Sequence, residues 1–519
     1  MRWISLAVLA SLSILAAPAS AQTDPTVQDF KRYFKKAKET VERVEFVRSL
    51  EKIDDPGVAT ELLKVLKDKE PAVAAAAAEV IGQLPSPEAR LPLQVIVEKG
   101  KPAEQLGPIL RCAAKGKWTE FLPLLRPHLA HKEDGVRLWA VRAVGNMQDA
   151  ESLPVIVELA GSDSNPLVRV ASIESIVQMG KEQVDLCLPP LLASLQDPDT
   201  SVQVAGCLAL RVIRHKDAIP ALIDTWLNGD GLVLQHIYPT LLEITDLQFG
   251  ADAEQWQRWW ENAEERFEIP SEEKLAERRE ARAKTAALYV PKEGSAAFAG
   301  ISTPSREVVF VIDVSGSMED SVLERDKFRE AGHSRFTKMD ILKKELTAAI
   351  EGLGDNVFFN VHAFASNVDS WRKDLVPANA LNKRSAIEFV KKLKPIGGSA
   401  AQERASAGLS GSANVAAGRT NTYAALMAGL GVQDEKVALA VTRDDSIEIE
   451  GNGDTMFFFS DGLPTVGALV DTDEILDAVR SFNEFRRIAI HAVAIGDFKK
   501  TWMRRLAEEN SGQFVDLGR

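Results

Sequence analysis

A Leu-Pro or Ile-Pro pair returns at a near-constant interval through the first half of the chain. It stands at Leu91-Pro92, Leu122-Pro123, Leu153-Pro154, Leu188-Pro189 and Ile219-Pro220, so the prolines are 31, 31, 35 and 31 residues apart. Each pair opens an apolar helical run such as LPVIVELA or IPALIDTWL. Proline suits the first helical turn, where its missing N–H has no intrahelical partner to lose. A second set of anchors lies between these pairs. Val73, Val136, Val168 and Val202 are each followed at +4 by Ala77, Ala140, Ser172 or Gly206, and at +8 by Ile81, Val144, Ile176 or Leu210. That spacing marks one helical face, with a small residue where a neighbouring helix comes close. The interval from Val73 to Val136 is 63 residues against 32 and 34 for the others, which places a degraded repeat near 102–115.

Two helices per roughly 31 residues cannot bury their apolar faces alone, so they stack. Residues 22–270 are therefore expected to form an all-α solenoid, and the pattern resembles the short bacterial kind of HEAT repeat. The expected stack is right-handed and curved, its concave face either a protein-binding surface or simply part of a spacer. Trp256, Trp259, Trp260 and Phe267 stand at helical spacing and predict a helix that caps the open end of the stack. Residues 271–304, rich in Glu, Arg, Lys and Ala at first, read as a charged helix and linker.

After residue 305 the pattern changes. Strands are predicted at 307–313, 357–365, 455–460, 487–495 and 513–517, with helices at 338–353, 383–393, 422–430, 473–485 and 501–510. Nearly continuous apolar strands separated by helices indicate a doubly wound, Rossmann-like α/β sheet covered on both faces. Ligands of such sheets bind outside the carboxyl ends of the strands, at a switch in strand order. Three polar segments fall at such places: Asp313-Val314-Ser315-Gly316-Ser317 after the first strand, Thr420-Asn421-Thr422 before a helix, and Ser460-Asp461-Gly462 at the end of the 455–460 strand. Together they offer two carboxylates and several hydroxyls without Cys or His. A hard divalent cation, Mg2+ with Mn2+ or Ca2+ as the alternatives, prefers such oxygen ligands.

DVSGSM, GRTNTYAAL and FFFSDGLP resemble the three segments of the metal-ion-dependent adhesion site of a von Willebrand factor A (VWA) domain, and the resemblance covers about 305–519. It implies that Ser315, Ser317 and Thr420 coordinate the metal directly or nearly so, and that Asp313 and Asp461 bind it directly or through water. It also implies that the sixth position takes an Asp or Glu carboxylate from a protein partner. The usual Gly-Gly before the Thr is Gly418-Arg419 here, and a Gly397-Gly398 pair stands 22 residues before Thr420, ahead of an insert at 399–418. Further inserts span about 319–336 and 433–453. All three are expected to frame the ligand.

Residues 1–21 carry Arg2, the apolar run from Ile4 to Ala17 and the small-residue site Ala19-Ser20-Ala21, the pattern of a cleaved export signal. No later segment has eighteen uninterrupted apolar residues, so no integral membrane segment is expected after cleavage, and the protein is placed in the periplasm, at the cell surface or outside. The net charge of −13 argues against a nucleic-acid partner. Cys112, Cys187 and Cys207 lie in helical apolar patterns and are expected in the core, a Cys187–Cys207 bridge being the alternative. Phosphate loops, HExxH and an intact GxSxG are missing from the sequence. The expected function is that of an exported, non-enzymatic interaction or adhesion protein. The alternatives are an envelope assembly factor that binds through the solenoid, its metal site regulatory, and a metal-dependent hydrolase.

Overall fold

The computed structural model describes residues 23–271, 273, 275, 296–397, 418–432, 453–496, 498 and 500–517. The expected export signal at 1–21, most of the 271–304 segment and nearly all of the inserts at 399–418 and 433–453 lie outside the described residues. Contacts divide the chain into two compact units, Met1–Val95 and Ile96–Arg519.

The first unit holds α1 (Pro25–Tyr33), α2 (Thr40–Arg48), α3 (Pro56–Val65) and α4 (Pro71–Gly82), and α5 (Leu91–Lys99) begins within it. Helices α1 and α3 start by the same device. Asp24 and Asp55 accept hydrogen bonds from the backbone N–H groups of Thr26 and Gly57, and proline follows at the first helical position.

The second unit opens with a helical array of its own, α6 (Ala103–Gly116), α7 (Leu122–Leu125), α8 (Asp134–Asn146), α9 (Leu153–Ser162), α10 (Pro166–Met179), α11 (Val184–Ser194), α12 (Thr200–Ile213), α13 (Ala218–Asn228), α14 (Leu234–Thr245) and α15 (Ala253–Ala263). The anchor positions of the repeat are buried as their spacing implied, from Val136, Ala140 and Val144 to Val202, Gly206 and Leu210. The degraded stretch near 102–115 is helical too, and α6 buries Leu106, Ile109, Leu110 and Ala113. Pro189 departs from the first-turn rule, because α11 begins at Val184 and carries Pro189 and Pro190 inside it.

An arginine ladder ties successive repeats. Arg137 and Arg169 each follow an anchor valine, and each grips an aspartate in the inter-helix loop of the next repeat. Arg137 donates to Asp163 at 2.7 and 2.8 Å, and Arg169 to Asp197 at 2.9 and 2.7 Å. Each pair is a two-pronged, charge-assisted contact. The same aspartates accept backbone N–H bonds from Asn165 and Asp199, shaping the turn into the next helix. Close helix approach is sharpest at Gly206, where a Cβ would lie 1.7 Å from Ser194 Oγ. The three cysteines are buried free thiols. On α15, Trp256 and Trp260 are buried, with Trp256 edge-on to Phe249 and Tyr238.

The remaining part is a seven-stranded sheet with helices on both faces, preceded by a small hairpin. The hairpin strands are β1 (Ala296–Phe298) and β2 (Ile301–Thr303); the sheet contains β3 (Glu307–Asp313), β4 (Phe358–Phe364), β5 (Val368–Ser370), β6 (Val376–Pro377), β7 (Thr455–Ser460), β8 (Ala489–Ala494) and β9 (Phe514–Asp516). The order is β5-β4-β3-β7-β8-β9, with β6 also on β4. Strands β4, β3, β7, β8 and β9 run parallel, and β5 and β6 add antiparallel edges. The helices are α16 (Arg325–Glu330), α17 (Lys338–Gly352), α18 (Ala380–Lys392), α19 (Thr422–Gly429), α20 (Thr472–Asn483) and α21 (Thr501–Glu509). Period-two alternation divides the apolar residues between two cores. Val308, Phe310, Ile312, Phe457 and Phe459 join the hairpin and α17 on one face. Val309, Val311, Met456 and Phe458 join α19, α20 and α21 on the other. Each fully buried Phe or Val contributes roughly 1.5–3 kcal/mol. The order turns about β3, whose neighbours are reached in opposite directions, so the crevice above its carboxyl end is the switch point.

The helical array holds the sheet by the opposite, amino edge. Arg142 bridges Glu174 of α10, at 2.8 Å, and Glu484 just after α20. Arg487 pairs with Glu174 as well, and Arg111 donates to Ser481 Oγ at 2.7 Å. Trp139 meets Phe485 edge-on at 5.8 Å, and Arg306 at the start of β3 pairs with Asp230 at 2.6 Å.

Two stability predictions follow from this packing. Gly206→Ala is expected to cost about 1–3 kcal/mol by overpacking against α11, read as a lower urea midpoint; an unchanged midpoint would show that Ser194 rotates away freely. At the amino edge, burial pushes the Asp454 carboxyl up from 3.8 to about 7, partly offset by the bond it accepts from Ser305 Oγ. The folded protein thus keeps a proton that the unfolded chain has released. This contribution is full below the unfolded value and is lost as pH rises through about 7. Asp454→Asn should flatten that part of the stability profile, measured as Tm against pH relative to the wild-type protein.

Candidate metal centre

Strands β3 and β7 are adjacent and parallel, so the acids that end or follow them meet at one edge. Asp313 closes β3 and is fully buried; Asp461 follows β7. A chain of hydrogen bonds joins them. Asp313 Oδ1 accepts from the Ser315 N–H at 2.8 Å, and Asp313 Oδ2 accepts from Ser460 Oγ at 2.7 Å. Ser315 Oγ and Ser317 Oγ lie 3.1 Å apart, and Ser317 Oγ donates to Asp461 Oδ1 at 2.8 Å. Burial and the nearby Asp461 charge push the Asp313 carboxyl up from the ordinary range, against the bonds from Ser315 and Ser460 that pull it down.

Thr420 reaches the same edge through its backbone. It is buried before α19; its N–H donates to Thr465 Oγ1 at 2.8 Å and its carbonyl accepts from the Thr465 N–H at 2.9 Å, in the loop that leaves β7. The next residue, Asn421, donates its N–H to Ala365 O beyond β4 at 2.8 Å. The split glycine pattern is closed in space. A Cβ on Gly418 would sit 2.7 Å from Gly397 Cα and 2.0 Å from Ile396 O, and the Ile396 N–H donates to Val314 O at 2.9 Å. The chain therefore leaves and re-enters this edge at two touching glycines.

One role and one participant escaped the sequence reading. Ser460 was read only as part of its segment, and it orients Asp313. Lys338 is buried and opens α17; its Nζ donates to Asp461 Oδ2 at 2.8 Å and to Ser317 O at 3.2 Å. A cation in a first helical turn opposes the helix dipole, and that misfit was the available clue. Lys338 also borders a cavity of about 840 Å³ whose walls include Val322 and Phe328 of the 319–336 insert, Lys500 and Arg504. Among the described residues no group of three or more His, Cys, Asp and Glu gathers as a metal site. The donor set is instead two carboxylates interleaved with hydroxyls, which suits a hard divalent ion.

Residues 306–410 and 425–516 match the von Willebrand factor type A domain, and 122–186 match HEAT repeats. The inter-alpha-trypsin inhibitor heavy chain H2 of Mesocricetus auratus is 28% identical over 208 residues, 40% of this chain and 17% of the relative. The Homo sapiens H2 chain is 26% identical over the same shares. Heavy chain H3 of Bos taurus is 33% identical over 98 residues, 19% of this chain and 9% of its own. The chain thus spans about a sixth of the length of the H2 relatives it matches. A von Willebrand factor type A structure from Catenulispora acidiphila covers 42% of this chain and 39% of its own at 19% identity and a TM-score of 0.26, a score too low to argue from. No described helix is long and apolar enough to cross a membrane. The α/β part is thus similar to a von Willebrand factor type A domain, and the helical part before it is similar to HEAT repeats over 122–186.

Proposed function

We propose that the protein is an exported, non-enzymatic interaction or adhesion protein that binds a partner's Asp or Glu carboxylate through a divalent cation, Mg2+ or its substitutes Mn2+ and Ca2+. One observation carries this reading: Asp313 and Asp461 are buried at the same strand edge with Ser315 and Ser317 bonded in series between them. Two like charges so close and so dry are costly, and the Lys338 ammonium offsets only that of Asp461, so a divalent ion that joins both carboxylates is favoured. A bound divalent ion would supply Lewis acidity toward an incoming anionic oxygen. Ser315, Ser317 and Thr420 would hold it as neutral donors, so the two carboxylates would balance its charge and leave attraction for an outside carboxylate. Ser460 fixes the rotamer of Asp313, and the backbone bonds of Thr420 to Thr465 tie the third segment to the loop beyond Asp461.

The array's grip on the amino edge supports a scaffold role for the HEAT repeats, since it lies across the sheet from this edge. The relatives' name, as heavy chains of an inhibitor, agrees with binding rather than catalysis. The 1–21 pattern supports export.

Asp313→Ala removes one charge-balancing carboxylate and is expected to weaken Mg2+ or Mn2+ binding about tenfold or more. Calorimetric titration of the full chain measures it, and equal affinity in both proteins would end the site assignment. A pull-down from envelope extract should recover a partner in Mg2+ and lose it in EDTA; retention in EDTA would favour binding through the solenoid. Thr420→Ala should weaken partner binding at saturating metal more than it weakens metal binding, because the other ligands still hold the ion. Equal losses in the two titrations would make Thr420 only one ligand among several.

A further inference from the structure

We propose that Lys338 is a tethered cation of the metal centre: its ammonium shares the Asp461 carboxylate with an incoming divalent ion, keeping the ligands in place without metal and holding metal affinity down. The inference rests on the metal reading above and deepens it. Lys338 is the first residue of a 15-residue helix whose cap, Thr337, accepts from the Asp340 N–H at 3.1 Å. A lysine there faces the positive end of the helix dipole, and its side chain is still only 11% exposed. Something specific must hold it, and three acceptors stand near its ammonium. Asp461 Oδ2 lies at 2.8 Å, Ser317 O at 3.2 Å and Asp320 Oδ2 at 3.6 Å.

The slot it fills is shaped for it. Gly496, just beyond β8, has φ +103°, and a Cβ there would stand 3.1 Å from Lys338 Cε and 3.3 Å from Nζ. A side chain at 496 would press on the ammonium. The lysine thus passes between the helix start, the glycine and the acid, and ends on the oxygen of Asp461 that Ser317 leaves free.

Two effects of the lysine oppose each other in metal binding. Its bond to Asp461 orders a ligand in advance, which favours the ion. Its charge repels the ion, which disfavours it. Order does not depend on the lysine alone, because Asp461 Oδ1 is held by Ser317 and Asp313 is held from both sides by Ser315 and Ser460. The charge effect has no such substitute, and at a distance of a few ångströms in a buried site it dominates. The lysine therefore tunes the centre to bind metal weakly enough to respond to the divalent ion level outside.

The test uses the full chain and Mg2+ or Mn2+ alone. Lys338→Gln keeps a donor toward Asp461 and removes the charge; it is expected to bind the ion about tenfold more tightly than wild type. Its Tm in EDTA should be lower, and its gain in Tm on adding metal larger. Lys338→Met, which keeps neither donor nor charge, should share the larger metal-induced gain, and Lys338→Arg should bring the affinity back toward wild type. Equal or weaker metal binding by Lys338→Gln, with wild-type binding intact, overturns this inference alone. Absence of binding in wild type and in all three variants overturns the metal reading with it.

Discussion

Two carboxylates placed in a dry strand edge set the terms for everything around them. An unpaired buried charge is far costlier than any single bond in the molecule gains. Asp313 and Asp461 are tolerated because each oxygen is met: by the Ser315 amide, by the Ser460 and Ser317 hydroxyls and by the Lys338 ammonium. The pressure shows in the upward push on the Asp313 carboxyl. It also dictates backbone. The strands that carry the acids must be neighbours and run in one direction, as β3 and β7 do in register from Val308 with Thr455 to Ile312 with Phe459. Their alternating apolar side chains then fill two separate cores, which makes the edge rigid enough to hold the acids at hydrogen-bond distance.

The opposite edge has the contrary chemistry. There the helical array meets the sheet through Arg142, Glu174, Glu484 and Arg487, with Trp139 against Phe485 at the centre. Charges alternate in sign, and the Trp139–Phe485 contact adds apolar area beside these partly buried pairs. Arg487 is itself largely desolvated, and burial lowers its pKa from the ordinary guanidinium range. A domain held from its amino edge presents its carboxyl edge on the far side, and for a binding module that division assigns support and recognition to different ends of the same strands.

Much of this could be read from residues in order. The bounds of β3 and β7, Glu307–Asp313 and Thr455–Ser460, coincide with the apolar runs that announced them. The anchor face from Val136 to Leu210 was legible because a helix repeats its burial every third or fourth residue. What escaped depended on neighbours far along the chain. The antiparallel edges β5 and β6 and the hairpin β1–β2 are too short to carry a period. The Arg137–Asp163 and Arg169–Asp197 ladder needs two repeats to be docked before either partner has meaning. Pro189 misled because α11 starts earlier than its proline.

The amino-acid order by itself determined the element types, the two-part architecture and the identity of the acids and hydroxyls, since periodicity and local oxygen spacing are properties of contiguous residues. Tertiary structure alone decided which of those groups touch. Gly397 lies against Gly418 across an intervening segment, Ser460 turns back onto Asp313, and Lys338 reaches Asp461 across 123 residues of chain. The physical reason is that a parallel sheet brings strand ends together by crossover, so the partners of a buried charge are set by strand order in space. No local pattern in the chain records that order.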